Sequence, residues 1–297
     1  MVGGGMHRDE VHTDVVLVGR LLAAQFRQWA DLPIRLITLT GTDNTLYRLG
    51  DDMVVRLPRS GWSAARVAKE QRWLPWLAPQ LPVAIPVPLG AGTPAEGYPW
   101  PWSVYRWLAG EPPASDHPAA PRALALALAE FIAALRRVEP LEGPPAGQTL
   151  AMKDAQVRAA IAALRDMIDA DAVTTAWAAA LRLPAWTGPP VWFHGDLAPG
   201  NVLLSDGRLS AVIDFAGMGV GDPSEDVRIA WTLLPADVRD VFRAALPVDD
   251  ATWARGRARA LAQSLAQLLY YRDTHPALAA DVCQVICEIV ADQRRGG

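Results

Sequence analysis

Leu17, Leu21, Leu22, Phe26 and Trp29 recur at helical spacing, which predicts a helix over residues 11–30 with Asp14 as its cap and Pro33 as its stop. Three short apolar runs follow at 34–40, 45–49 and 53–57, separated by polar, Gly-containing turns at 41–44 and 50–52. That alternation reads as a strand meander. Its apolar face needs cover, and residues 62–74 carry a helical pattern that can supply it. The stretch 81–88 is extended, and its prolines exclude a central strand. A loop at 90–97 leads to an aromatic-rich strand at 100–107. Beyond it the pattern turns helical at 118–138, 152–168, 171–183, 223–234, 235–245, 250–273 and 276–294, with a Pro/Gly-rich linker at 139–150. This predicts an α+β chain, β-rich early and helical late. The expected division is 1–107 and 108–297.

Chemistry gathers where the helical pattern is interrupted. The apolar run Val191, Trp192, Phe193 ends in a loop bearing Asp196 and Asn201. A second run, 202–204, turns at Ser205, Asp206 and Gly207 into a third, 209–213, which ends at Asp214. Two such runs around a Gly-containing turn predict a β-hairpin, which draws Asn201 and Asp214 together. Both offer hard oxygen atoms, and Mg²⁺ takes a few of these and fills its shell with water and phosphate. A nearby carboxylate, Asp196, can then orient a hydroxyl and accept its proton. Phosphoryl transfer needs these parts.

His194-Gly195-Asp196, followed by Pro199-Gly200-Asn201 and Ile213-Asp214, resembles the aminoglycoside phosphotransferase family, small-molecule kinases with a protein-kinase-like fold. The resemblance implies a bilobal chain, with a nucleotide-binding lobe at 1–107 and a helical catalytic and acceptor-binding lobe at 108–297. It implies ATP as phosphoryl donor, with GTP as the other candidate, and Mg²⁺ held by Asn201 and Asp214. Asp196 would be the catalytic base. Arg56, on the third strand where such kinases place a cation, would steady the phosphates, aimed by Glu70 on the covering helix. Thr42 and Asn44, in the first turn, would approach the phosphates, and the backbone near Tyr105 and Trp107 would meet the adenine. Asp222 would brace the catalytic loop and cap the helix near Ser224, while His194 holds the loop by hydrogen bonds. The acceptor implied first is an aminoglycoside-type antibiotic. Macrolides, choline, homoserine and sugars are the alternatives, and a nucleotide-binding pseudokinase is the non-catalytic rival.

Composition adds limits. With 51% apolar and 20% charged residues, 297 residues can build an ample core. A net charge of −4 lacks the basic footprint of a nucleic-acid binder. No apolar run reaches the ~20 residues of a membrane span, and the start of the chain has no signal-peptide pattern. These features place the protein in the cytoplasm; a monomer or a homodimer is expected. Cys283 and Cys287, four apart, read as buried small side chains on one helix face. The segment 217–223 reads as a flexible loop. Asp226, Asp273, Glu288 and Asp292 are candidate contacts for a cationic acceptor. A metal hydrolase would need clustered histidines, and the five in the chain are scattered. The Gly-Lys-Ser/Thr of a P-loop kinase is absent.

Overall fold

The computed structural model describes residues 11–38, 43–113 and 120–295. The described residues form two compact units: one runs to Gly110 and includes Ser210–Ala216, and the other holds Glu111–Leu209 and the chain from Gly217 onward.

The first unit is a five-stranded antiparallel sheet. Its strands are β1 (Ile34–Ile37), β2 (Asn44–Leu49), β3 (Met53–Pro58), β4 (Pro88–Gly92) and β5 (Trp102–Arg106), in the order β1-β2-β3-β5-β4. Helix α1 (Val15–Gln25) starts at Asp14, whose carboxylate accepts the Leu17 N–H at 2.7 Å. It ends earlier than the pattern predicts, because Phe26 leaves helical dihedrals and opens a 3₁₀ turn at Arg27–Trp29. Leu17, Val18, Leu21 and Leu22 of α1 pack with Tyr47, Leu49, Val55, Leu57, Trp102 and Val104 from the sheet. The covering helix is two pieces, α2 (Gly61–Ala64) and α3 (Val67–Leu77). Helix α3 continues through Pro75, where the pattern had ended it. One backbone bond is lost there, while Trp73, Leu74 and Leu77 remain buried.

Strand β4 occupies part of the predicted loop. Its glycines concealed it: a Cβ on Gly92 would stand 2.1 Å from the Trp102 ring, and one on Gly90 2.8 Å from Phe26. Aromatic rings lie against bare backbone here, so strand propensity is low where the strand forms.

The second unit is mostly helical: α4 (Pro121–Arg137), α5 (Leu150–Ala163), α6 (Ala170–Ala180), the short α7 (Ile229–Thr232), α8 (Arg239–Ala245), α9 (Asp250–Tyr271) and α10 (Pro276–Arg295). Helix α9 is the central one. It contacts α5, α6, α7 and α10 and buries Trp253, Leu261, Leu265 and Leu268. Strands β7 (Val202–Ser205) and β8 (Arg208–Val212) form the predicted hairpin. Strand β6 (Val191–Phe193) pairs antiparallel with β9 (Gly219–Gly221). The segment expected as a flexible loop at 217–223 is therefore partly a strand. Its glycines serve close approach: a Cβ on Gly219 would lie 2.2 Å from that of Ala146, and one on Gly221 2.9 Å from the Ala146 carbonyl.

One further expectation changes: Cys287 is exposed and Cys283 half-buried, not buried together. Arg136, in the last turn of α4, donates its guanidinium to the Pro223 carbonyl at 2.5 Å. Burial holds its pKa down at about 10, against the pull of Asp226 and Asp222. No helix among the described residues is long and apolar enough to cross a membrane.

Candidate active site

Arg56 sits mid-strand in β3, opposite Leu46 of β2 and Ser103 of β5. Alternation along the strand puts Val55 and Leu57 into the core and Arg56 on the other face. There Nη1 donates to Glu70 Oε1 and Oε2 at 3.0 and 3.1 Å, and Nη2 to Asp214 Oδ1 at 3.1 Å. With its amide oriented to satisfy both groups, Asn44 accepts from Nε at 3.0 Å and Nη2 at 2.9 Å. Tyr105 closes the cluster by donating its hydroxyl to Glu70 Oε2 at 2.9 Å. Burial penalises the Arg56 charge, but Glu70 and Asp214 outweigh it and raise its pKa above the ordinary value. The Tyr105 hydroxyl is pushed up as well, by burial first and then by Glu70. Only a guanidinium has enough donors in one plane for so many partners.

Asp214 itself has φ +61°, left-handed backbone that few residues other than glycine tolerate. Aspartate is among the more tolerant, and its carboxylate remains 43% exposed. Lys69 on α3 donates to the Ala216 carbonyl at 2.7 Å, which ties down the chain just beyond Asp214. The Trp107 N–H donates to Asp52 O at 2.7 Å, and Arg48 stacks 4.1 Å above its ring. That amide is thus engaged within its own unit. Thr42 lies outside the described residues.

In the second unit the His194-Gly195-Asp196 loop leaves β6 and is held from beneath. The Asp226 carboxylate accepts the N–H of His194 at 2.7 Å and of Gly195 at 3.0 Å. His194 is fully buried, and its Nδ1 accepts the Asp196 N–H at 3.1 Å. Arg228 donates to the Gly195 carbonyl at 2.7 Å and to Asp196 Oδ1 at 3.2 Å. Asn201, on a 3₁₀ turn at Pro199–Asn201, donates Nδ2 to the Asp196 carbonyl at 2.8 Å and approaches its Oδ2 at 3.4 Å. Gly195 has φ +79°, and a Cβ there would stand 2.1 Å from the Gly217 carbonyl oxygen. This backbone therefore requires glycine at position 195.

Asp222 does not touch this loop. Its oxygens accept from the Ser224 N–H at 2.9 Å, from Arg255 Nε at 2.9 Å and from Arg259 Nη2 at 3.3 Å. Neither part of its expected role is met: the nearby 3₁₀ turn, Asp226–Arg228, has Glu225 at its N-cap position and no side-chain cap, and the bracing of the loop belongs to Asp226. Sequence reasoning had placed Asp226 among acceptor contacts and had not singled out Arg228. Their signal was charge inside an apolar run, Val227, Ile229 and Ala230, where only satisfied charges are buried. Glu288 and Asp292, also expected near the acceptor, pair with Arg239 and Arg257. Asp273 is exposed beside Arg272.

Asn201 engages its Nδ2 with the loop, which leaves Oδ1 as an oxygen donor in the second unit, and Asp214 offers an exposed carboxylate in the first. Each is the kind of hard oxygen that a divalent ion takes. Among the described residues no group of three or more His, Cys, Asp or Glu is arranged around a metal position. Mg²⁺, which keeps several waters, needs no such group.

A model of the phosphotransferase enzyme family, APH, matches residues 35–261. An aminoglycoside 3'-phosphotransferase from Streptomyces fradiae is 31% identical over 210 residues, spanning 67% of this chain and 75% of that protein. Among solved structures, wild-type aminoglycoside 2'-phosphotransferase-IIIa in its GDP complex aligns with TM-score 0.74 at 23% identity, covering 95% of this chain and 100% of that one. Macrolide 2'-phosphotransferase MphH from Brachybacterium faecium aligns with TM-score 0.64 at 25% identity, covering 92% and 97%. The loop chemistry, the sheet-bound arginine cluster and these matches together make the chain a member of the aminoglycoside phosphotransferase family of small-molecule kinases.

Proposed function

We propose that this enzyme moves the γ-phosphoryl group of ATP to a hydroxyl of a small molecule. One observation carries the reading: Asp196 is half exposed, yet held at fixed orientation by Arg228 and Asn201 on a loop pinned by Asp226. A carboxylate so placed can accept the acceptor's hydroxyl proton as the new O–P bond forms and the bond to the β-phosphate oxygen breaks, releasing ADP. Arg56, locked by Glu70, is the cation assigned to the phosphates, and Asn44 shares that corner of the sheet. Glu70 acts through Arg56. The hinge backbone around Tyr105 and Trp107 is assigned to the adenine edge. Asn201 Oδ1 and Asp214 would hold Mg²⁺, which when bound neutralises phosphate charge.

Aminoglycosides head the acceptor list because relatives named for them match this chain, and macrolides follow for the same reason. Choline, homoserine and sugars complete it. ATP is the donor to assay first, with GTP beside it, and the cytoplasm is the compartment this reading requires. The test is release of ADP or GDP by the purified protein with Mg²⁺ and each acceptor in turn. Transfer to any of them supports the reading; nucleotide binding without transfer to any leaves a pseudokinase instead.

A further inference from the structure

A cavity of about 290 Å³ opens in the helical unit between α5 and α9. Its wall includes Lys153, Glu225, Arg228, Arg259 and Gln263. Arg228 links this wall to the reaction, since the same guanidinium donates to Asp196 Oδ1 at 3.2 Å. The cations differ in how they are engaged. Arg259 pairs with Glu225 at 2.6 Å and also donates to Ser224 Oγ and the Gln148 carbonyl. Arg228 is taken by the catalytic loop. Lys153, among the described residues, has no hydrogen bond and no close ion pair. It is half-buried and lines the cavity. Burial pulls its pKa down, opposed by Glu225 and reinforced by Arg259 and Arg228. Two buried polar atoms without hydrogen bonds stand in the same wall, Arg228 Nε and Gln263 Oε1. A polar guest suits this lining better than an apolar one.

We propose that this cavity takes the non-reacting end of the acceptor, and that Lys153 selects acceptors presenting a carboxylate there over cationic ones. The inference rests on the phosphotransfer reading above and, on the cavity's charge, moves a small hydroxy acid ahead of the aminoglycosides on its acceptor list. A polycation would meet Lys153, Arg228 and Arg259 against one wall carboxylate, Glu225. Volume favours a small guest, since about 290 Å³ lies just below the roughly 300–1,000 Å³ of sites that hold drug-sized ligands.

The experiment is steady-state phosphorylation by the full chain with Mg²⁺ and ATP. The acceptors are glycerate and 4-hydroxybutyrate as acids, homoserine as a zwitterion, ribose as a neutral sugar, choline as a cation and kanamycin as a polycation. The acids should show the highest kcat/KM. Lys153→Gln should raise their KM about tenfold or more, with a smaller change in kcat. Arg158→Gln, an exposed cation on the same helix, should leave that KM unchanged. Lys153→Glu should shift preference toward choline. Preference for kanamycin or choline in the unaltered enzyme, or an unchanged KM for acids in Lys153→Gln, overturns the role of Lys153 and leaves phosphoryl transfer standing. Failure to phosphorylate any acceptor overturns the activity itself, and the cavity assignment with it.

Discussion

Arg56 Nη2 lies 3.1 Å from Asp214 Oδ1, joining a strand of the sheet to a residue 158 positions later. The contact holds a left-handed aspartate, φ +61°, beside the cation assigned to the phosphates. The same carboxylate is assigned to Mg²⁺, so Asp214→Ala should remove the metal-dependent part of nucleotide binding. Calorimetry with and without Mg²⁺ checks this. If ATP binds the variant and the unaltered protein with equal Mg²⁺ dependence, Asp214 is not a ligand.

Asp196→Ala should lower kcat by at least ~10²-fold, the usual contribution of a positioned base. The neighbouring contacts from Asp226 to His194 and Gly195 do not involve the lost carboxylate, so the loop should keep its fold. Near-normal turnover in the purified variant would remove Asp196 from the mechanism.

Gly195→Ala places a Cβ 2.1 Å from the Gly217 carbonyl and forces an alanine to φ +79°. The neighbour is backbone and cannot swing aside, so one of the two loops must move. A loss of at least about 2 kcal/mol is expected, read as a lower urea midpoint. Gly200→Ala, with nothing within 4 Å of its Cβ and no left-handed φ, is the control that should change little.

Asp222 supplies a pH signature. Burial alone would raise its pKa, but hydrogen bonds from Arg255 and Ser224 and the charges of Arg259 and Arg255 hold it below the ordinary 3.8. A carboxyl depressed in the folded state adds stability above its unfolded pKa and loses it as pH falls through the folded one. The stability difference between the unaltered protein and Asp222→Asn should therefore be constant from pH 7 to about pH 5 and shrink below about pH 4. Urea unfolding at pH 7, 5 and 3.5 reads it; a difference that grows on acidification contradicts the ion-pair account.

The long helices were legible because their apolar positions repeat. Leu124, Leu128, Phe131, Ile132 and Leu135 mark α4, and Leu261, Leu265 and Leu268 mark α9. Strands β4 and β9 were not, because Gly90, Gly92, Gly219 and Gly221 carry no side chain for periodicity to register. What fills their space is an aromatic ring or a backbone far away in the chain, and no local pattern contains it.

The chain alone determined the loop spacing of Asp196, Asn201 and Asp214, the hairpin after Asn201, and the placement of Arg56 on its strand, since these follow from short-range alternation and turn chemistry. Tertiary structure decided which charges support that loop and which stand apart. Asp226, Asp222, Glu288 and Asp292 look alike in sequence, yet the first holds two loop amides and the others neutralise arginines. Lys153 is an ordinary helix cation until α9 brings Arg259 and Gln263 beside it. A charge acquires its role from burial and from partners distant in the chain, and both exist only once the helices have packed.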